Sequence, residues 1–277
     1  MAWWHSFGVG RRPPLHIART EGSGPDVLLL HGIASSSVTF ENLFPLLTPR
    51  HRVWAMDLLG FGESPSPLSA RFTLDEHVDA VRTSVDRTPI RKPFTLVGHS
   101  LGALISLRFA ARFPNYVRHV VVVAPPVYLP GDLVTDPVKK LRMDVYYRLW
   151  DFLRNNPSFT TAASKALSKL VPIEGALEVN DRNWRAFSQS LLQCIETQSI
   201  LTDVAQVKAP IDLVYGTADP FVRPSGIDLL ERVRGVATTR VEGQDHVIRP
   251  KLAQAVARVI DDPSPPTAPI RLVDHIR

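Results

Sequence analysis

Short apolar runs recur along the 277-residue chain, at Val27–Leu30, Val53–Met56, Phe94–Val97, His119–Ala124 and Ile211–Tyr215. Several are apolar on consecutive positions, with no in–out alternation. That is the pattern of strands buried on both faces, whose usual home is a parallel sheet. The segments PLHIARTEG (14–22) and TTRVEG (238–243) alternate more and predict flanking strands. Helical periods lie between the runs. Residues 75–87 place Val78, Val81 and Val85 on one face, Leu101–Phe113 carries Leu104, Leu107, Phe109 and Ala111, and 250–262 carries Leu252, Val256, Val259 and Ile260. Strands alternating with helices imply an α/β fold with right-handed crossovers.

The alternation breaks between about Val127 and Ala205, where one helical pattern follows another. Residues 136–156 bring Leu141, Val145, Leu149 and Phe152 near one face. Residues 158–171 and 180–198 follow, the latter with Asn180 or Asp181 as a cap. The predicted organisation is a discontinuous α/β core, residues 1–126 and 206–277, with a helical cap at 127–205 inserted between two strands of one sheet. The proline-rich tail, 261–277, is expected to be irregular.

Composition narrows the function classes. The net charge of +5 is spread along the chain, with no run of five like charges, which argues against a nucleic-acid partner. Cys194 is the single cysteine and reads as a small core residue in a helix; no internal disulfide can form. No stretch of 18 apolar residues suggests a transmembrane anchor. The opening MAWWHSFGVGRRPP lacks the charged and apolar regions of a secretory signal. The expectation is therefore a cytoplasmic protein, with Trp3, Trp4 and Phe7 packed onto the first strands.

The chemistry concentrates at TLVGHSLGALISLRFA (95–110), which reads as strand, sharp turn and helix. Gly98-His99-Ser100-Leu101-Gly102 fits G-x-S-x-G, a turn so tight that the residues two before and two after the serine can hold almost no side chain. The turn also puts Ser100 at a helix N-terminus, where partial positive charge favours a developing oxyanion. A serine needs a base to take its proton, and the base needs a carboxylate to orient it. Asp219 sits just past the apolar run Ile211–Tyr215, and His246 lies on a short polar loop after the next predicted strand. Both follow the serine in the order acid, then histidine. Oxyanion donors are expected from the backbone N–H groups of Leu101 and of Ile33, with Ala34 second, in the loop after Val27–Leu30. His31 and His99 read as structural, Asp57 and Ser64 as braces of the turn around Gly60 and Gly62, and Asp203 as a helix cap. His5, His16, His51, His77, His119 and His275 have no matching position.

Jointly, His31-Gly32, Asp57-x-x-Gly60-x-Gly62-x-Ser64, the Gly98–Gly102 turn, Gly216-x-x-Asp219 and His246 resemble the α/β-hydrolase superfamily. The resemblance spans residues 27–260. It implies a mostly parallel eight-stranded sheet flanked by helices, with a helical cap after the sixth strand. Ser100 excludes the branches that carry an aspartate nucleophile. The function expected is carboxylic-ester hydrolysis by Ser100, His246 and Asp219 through an acyl-enzyme, without metal or organic cofactor. Activity is expected to fall below roughly pH 6–7, where an imidazole takes up a proton. The substrate expected is a small molecule with an apolar moiety, and Phe221, Trp150 and Trp184 are candidate lining, among the aromatics Tyr146, Tyr147 and Phe187. Arg142, Arg148, Arg154, Arg182 and Arg185 read as a solvated face. One alternative is C–C bond hydrolysis of vinylogous diketones, which resembles this chain broadly but departs at the HGIASSS loop, the SLGA turn and Val247-Ile248. Another, from a different class, is a ligand-binding protein on a hydrolase scaffold with little turnover.

Overall fold

The computed structural model describes residues 13–127, 148, 151–168, 173, 178–197, 200–222, 224–233, 236–263 and 271–273. Trp3, Trp4, Phe7, Arg142, Tyr146, Tyr147 and Trp150 lie outside these residues. The apolar runs form strands. β1 (Ile17–Glu21), β2 (Asp26–Leu30), β3 (Arg52–Met56), β4 (Phe94–His99), β5 (Val117–Val123), β6 (Ile211–Gly216), β7 (Ala237–Val241) and β8 (Arg271–Val273) make one sheet in the order β1-β3-β2-β4-β5-β6-β7-β8. β1 runs antiparallel to β3; every other neighbouring pair is parallel. Every residue of β2, β4 and β6 is buried, which explains why these runs lack alternation.

Helices cover the sheet: α1 (Phe44–Leu47), α2 (Leu74–Val85), α3 (Leu101–Arg112), α8 (Pro224–Val233) and α9 (Pro250–Asp261). α2 begins at Thr73, whose hydroxyl accepts from the Glu76 N–H, with Asp75 and Glu76 in the first turn. α9 buries Leu252, Val256, Val259 and Ile260, the stripe expected from the sequence. The tail differs from its expectation. Asp261 ends α9, and Arg271–Val273 pairs in parallel with β7, satisfying backbone groups that β7 would otherwise present at an open edge. Among the described residues the helical insertion lies between β5 and β6.

Between β5 and β6 the described residues are largely helical: α4 (residues 151–155), α5 (Pro157–Ser168), α6 (Trp184–Ser190), a π-helical turn at Leu191–Glu196 and α7 (Ile200–Gln206). α6 starts after Asn183, not after Asn180 or Asp181. Asn180 and Asn183 each accept the other's backbone N–H on a side-chain oxygen, at 3.1 and 2.8 Å. Named contacts seat this stretch on the core. Arg185 donates to the carbonyls of Pro67 and Ala70 at 3.2 and 2.5 Å and lies over the Phe72 ring. His77 on α2 meets Ser190 Oγ at 3.0 Å, and Cys194 Sγ donates to Phe72 O. Asp203 is not a cap; it is buried within α7 and pairs with Arg108 of α3 at 2.5 Å. Arg148 and Arg182 are exposed, as expected, Arg182 pairing with Glu63 at the surface, whereas Arg154 pairs with the part-buried Glu196 and Arg185 is anchored as above. Cys194 is a buried residue of the π-helical turn, and burial pushes its thiol up, out of the reactive range.

Candidate active site

A parallel sheet delivers the loops that follow its strands to one edge. The chain after β2 carries His31 to Ser37, after β3 Asp57 to Ser64, after β4 Ser100, after β6 Asp219 and after β7 His246. The serine turn is the most constrained of these. Ser100 takes φ 54°, ψ −117°, a conformation few non-glycine residues adopt, and its N–H donates to Val123 O at 2.9 Å. A Cβ on Gly98 would lie 2.1 Å from the Gly102 carbonyl oxygen, and one on Gly102 would lie 2.1 Å from that of Leu30. Backbone cannot retreat from such contacts, so both glycines follow from the close approach of strand, turn and helix.

His246 and Asp219 are brought into direct contact, with Nδ1 2.7 Å from Oδ2. The Asp219 side chain is fully buried and its second oxygen accepts the Phe221 N–H at 2.8 Å. A carboxylate accepts, so Nδ1 carries the hydrogen and Nε2 keeps the lone pair. The Phe221 ring stands edge-on to His246, with centroids 4.8 Å apart. His99, the residue before Ser100, sets its ring 4.8 Å from the His246 ring and its Nε2 2.9 Å from the His246 carbonyl oxygen. The His246 loop and the Ser100 turn are therefore neighbours. Asp245, beside His246, accepts from Val247 N–H and pairs with Arg249.

The loop after β2 lies against the same turn: a Cβ on Gly32 would be 3.0 Å from Ser100 Cβ and 3.5 Å from Oγ. Ile33 next to it is half-buried, and Leu101, the first residue of α3, is fully buried. His31 braces this loop. Its Nε2 accepts the Leu58 N–H at 2.9 Å, so Nδ1 is the donor to Gly32 O at 2.7 Å. Burial holds His31 below the usual imidazole range and keeps it neutral, against the pull of Asp57. Asp57 accepts N–H groups of Ser37 and Glu63 and meets His16 Nδ1, all within 3.0 Å, while Ser64 Oγ donates to the Asp57 carbonyl. Burial works against ionisation of Asp57, but these bonds outweigh it and its carboxyl stays below the usual range.

Of the candidate lining residues, Phe221 touches the His246 ring, whereas Trp184 packs on the buried Phe187 with ring centroids 5.7 Å apart. A polar cavity of about 350 Å³ opens beside the same loop, lined by Ser35, Ser36, Asp57, Glu63, Arg182 and Asn183. A second cleft, lined by Asp26, Arg91, Lys92 and Arg118, lies at the opposite edge, where β2, β4 and β5 begin. Among the described residues no group of three histidine, cysteine or acidic side chains is placed to hold a metal ion. No helix among them is long and apolar enough to cross a membrane.

The model of a family described as the alpha/beta hydrolase fold matches residues 25–248, the stretch that holds every loop named above. The chain belongs to the α/β-hydrolase fold family. This α/β-hydrolase chain is 40% identical over 128 residues to the probable lysophospholipase BODYGUARD 3 of Arabidopsis thaliana, covering 45% of this chain and 25% of that protein. It is 24% identical over 220 residues to Lipase 1 of Psychrobacter immobilis, covering 76% and 67%. The chain thus spans about a quarter of the length of the plant relatives it matches. A solved E-2-(acetamidomethylene)succinate hydrolase superposes with a TM-score of 0.68 at 24% identity, over 88% of this chain and 92% of that one. A solved membrane phospholipase A superposes with a TM-score of 0.66 at 21% identity, over 87% and 81%. At these identities the two structures speak for the fold alone.

Proposed function

We propose that the chain is a serine hydrolase that cleaves carboxylic esters of small molecules with an apolar moiety. The observation that carries the proposal is the 2.7 Å contact between His246 Nδ1 and the buried Asp219, beside the strained Ser100 turn. The matched lipase and probable lysophospholipases, by their names, point to the same bond type. Ser100 Oγ attacks the acyl carbon as His246 Nε2 takes its proton. The N–H groups of Leu101 and Ile33 receive the oxyanion. Collapse expels the alkoxide, which leaves as the alcohol with the proton from His246. Water then gives a proton to His246 and its oxygen to the acyl carbon, releasing the carboxylic acid and restoring Ser100. Phe221 lines the apolar side of the site, and the described helices between β5 and β6 form its lid.

The test is hydrolysis of p-nitrophenyl esters, acetate through decanoate, by the wild type and Ser100→Ala at pH 8 and pH 5.5. Turnover should vanish in the variant and fall at the lower pH, as an imidazole base takes up its proton. Absence of serine-dependent turnover on every ester would overturn the proposal in favour of a ligand-binding role.

A further inference from the structure

His99 is 94% buried against the two loops that meet at Ser100, on the exposure of 6%. A carbonyl oxygen only accepts, so the 2.9 Å contact with His246 O fixes the hydrogen on His99 Nε2. That leaves Nδ1 as a bare lone pair, buried and without a hydrogen-bond partner among the described residues. It faces Gly32, on which a Cβ would come within 3.2 Å of it. A buried imidazole with one nitrogen unsatisfied is a cost to folding. The single bond it makes is to the backbone of the proposed base, and its ring backs the His246 ring at 4.8 Å.

We propose that His99 is a positioning residue: its Nε2–H tethers the His246 carbonyl and its ring backs the imidazole, so that the base keeps its register with Ser100. This rests on the reading of His246 as the general base. The clamp has to remain uncharged while its neighbour takes up and releases a proton. Burial first, and the charge of His246 next, hold His99 down to about 3, and His31 acts in the same direction. A second imidazolium at this separation would oppose protonation of the base. Sequence spacing does not reveal this role, because the tether joins residues 147 positions apart.

The experiment uses a fluorophosphonate, which reports serine activation without requiring the natural substrate. Ser100 Oγ forms the P–O bond, fluoride leaves, and His246 takes the serine proton; intact mass gives the labelling rate. Ester kcat, KM and the pH–rate profile are read on the same samples. His99→Met removes the donor at nearly constant length and should slow labelling and kcat about 10- to 100-fold, with little change in KM. Its acidic limb should shift relative to wild type. His99→Gln puts an amide N–H near the Nε2 position and should recover most of the rate. If His99→Met does not fold, His99→Asn, polar but too short to reach the carbonyl, replaces it with the same expectation. Wild-type rate and profile in the donor-less variant, or equal impairment of Met and Gln, would overturn the proposal. Ser100→Ala and His246→Ala separate the two levels. If labelling survives without His246, the reading of the base fails and this proposal with it. If both controls abolish labelling while His99→Met matches wild type, only the clamp fails.

Discussion

Ser100 holds a positive φ that costs of order 1–3 kcal/mol, and the surrounding chain enforces it. The N–H bond to Val123 O and the backbone approach at Gly98 and Gly102 leave the turn no other course. Ser100→Gly should therefore stabilise the fold by about 1 kcal/mol, since glycine relieves the strain but regains freedom in the unfolded chain. The gain would appear as a higher thermal midpoint in a variant without serine-dependent turnover. Gly102→Ala should act in the opposite sense. Its methyl would meet the Leu30 carbonyl oxygen, and overpacking against backbone costs about 1–3 kcal/mol or more.

At the scale of elements, the helical stretch between β5 and β6 buries Phe187, Leu191, Ile195 and Val204 in the core and is tied to it at polar points as well. Arg185 is the most instructive. Its guanidinium serves two carbonyls of the 67–70 loop and covers Phe72, itself at φ 55°. Without it, Pro67 O would keep the Ala70 N–H, but Ala70 O would lose its charged donor, a loss of about 1.5–3 kcal/mol. Arg185→Ala should loosen α6 before it unfolds the sheet. Hydrogen exchange would show faster amides in 184–196 with the β4 amides unchanged; uniform acceleration across both would contradict this local anchoring. The sequence pattern marked these helices but ranked the arginine with solvent-facing residues, because its partners are backbone carbonyls of a distant loop.

Across the whole molecule, acid sensitivity has identifiable sources. Burial, with the charge of His31 adding, lowers His77 to about 3, and burial with the charge of His246 adding lowers His99 to about 3. Both are neutral in the folded protein, while the unfolded chain binds protons on them below pH 6.5. Their contribution is complete above pH 6.5 and is lost as the pH falls towards 3. Asp26 acts lower. Burial opposes its ionisation, but bonds from Arg52, Trp54 and Arg91 outweigh it and hold the carboxyl at about 2. Its contribution is present above pH 3.8 and disappears as the pH approaches 2. Unfolding free energy from denaturant titrations should fall steadily from pH 6.5 to 4, and His77→Gln should reduce that slope. A flat profile over this range would exclude the buried histidines as its source.

What the sequence determined by itself was whatever local chemistry dictates. Unbroken apolar runs specified two-sided burial and so a parallel sheet. Gly-x-Ser-x-Gly between a run and a helical period marked the turn at Ser100, and strand-then-loop order singled out Asp219 and His246, which the fold brings into contact. The tertiary structure decided what depends on long-range approach. It recruited Arg271–Val273 to the open edge of β7, set the tautomers of His31 and His99 through backbone partners, and drew Arg185 and Asp203 into part-buried contacts with distant residues. Periodicity reports which face of an element is buried. It carries no record of which distant carbonyl or carboxylate will meet a given side chain, because that is settled only when the loops at one edge of the sheet converge.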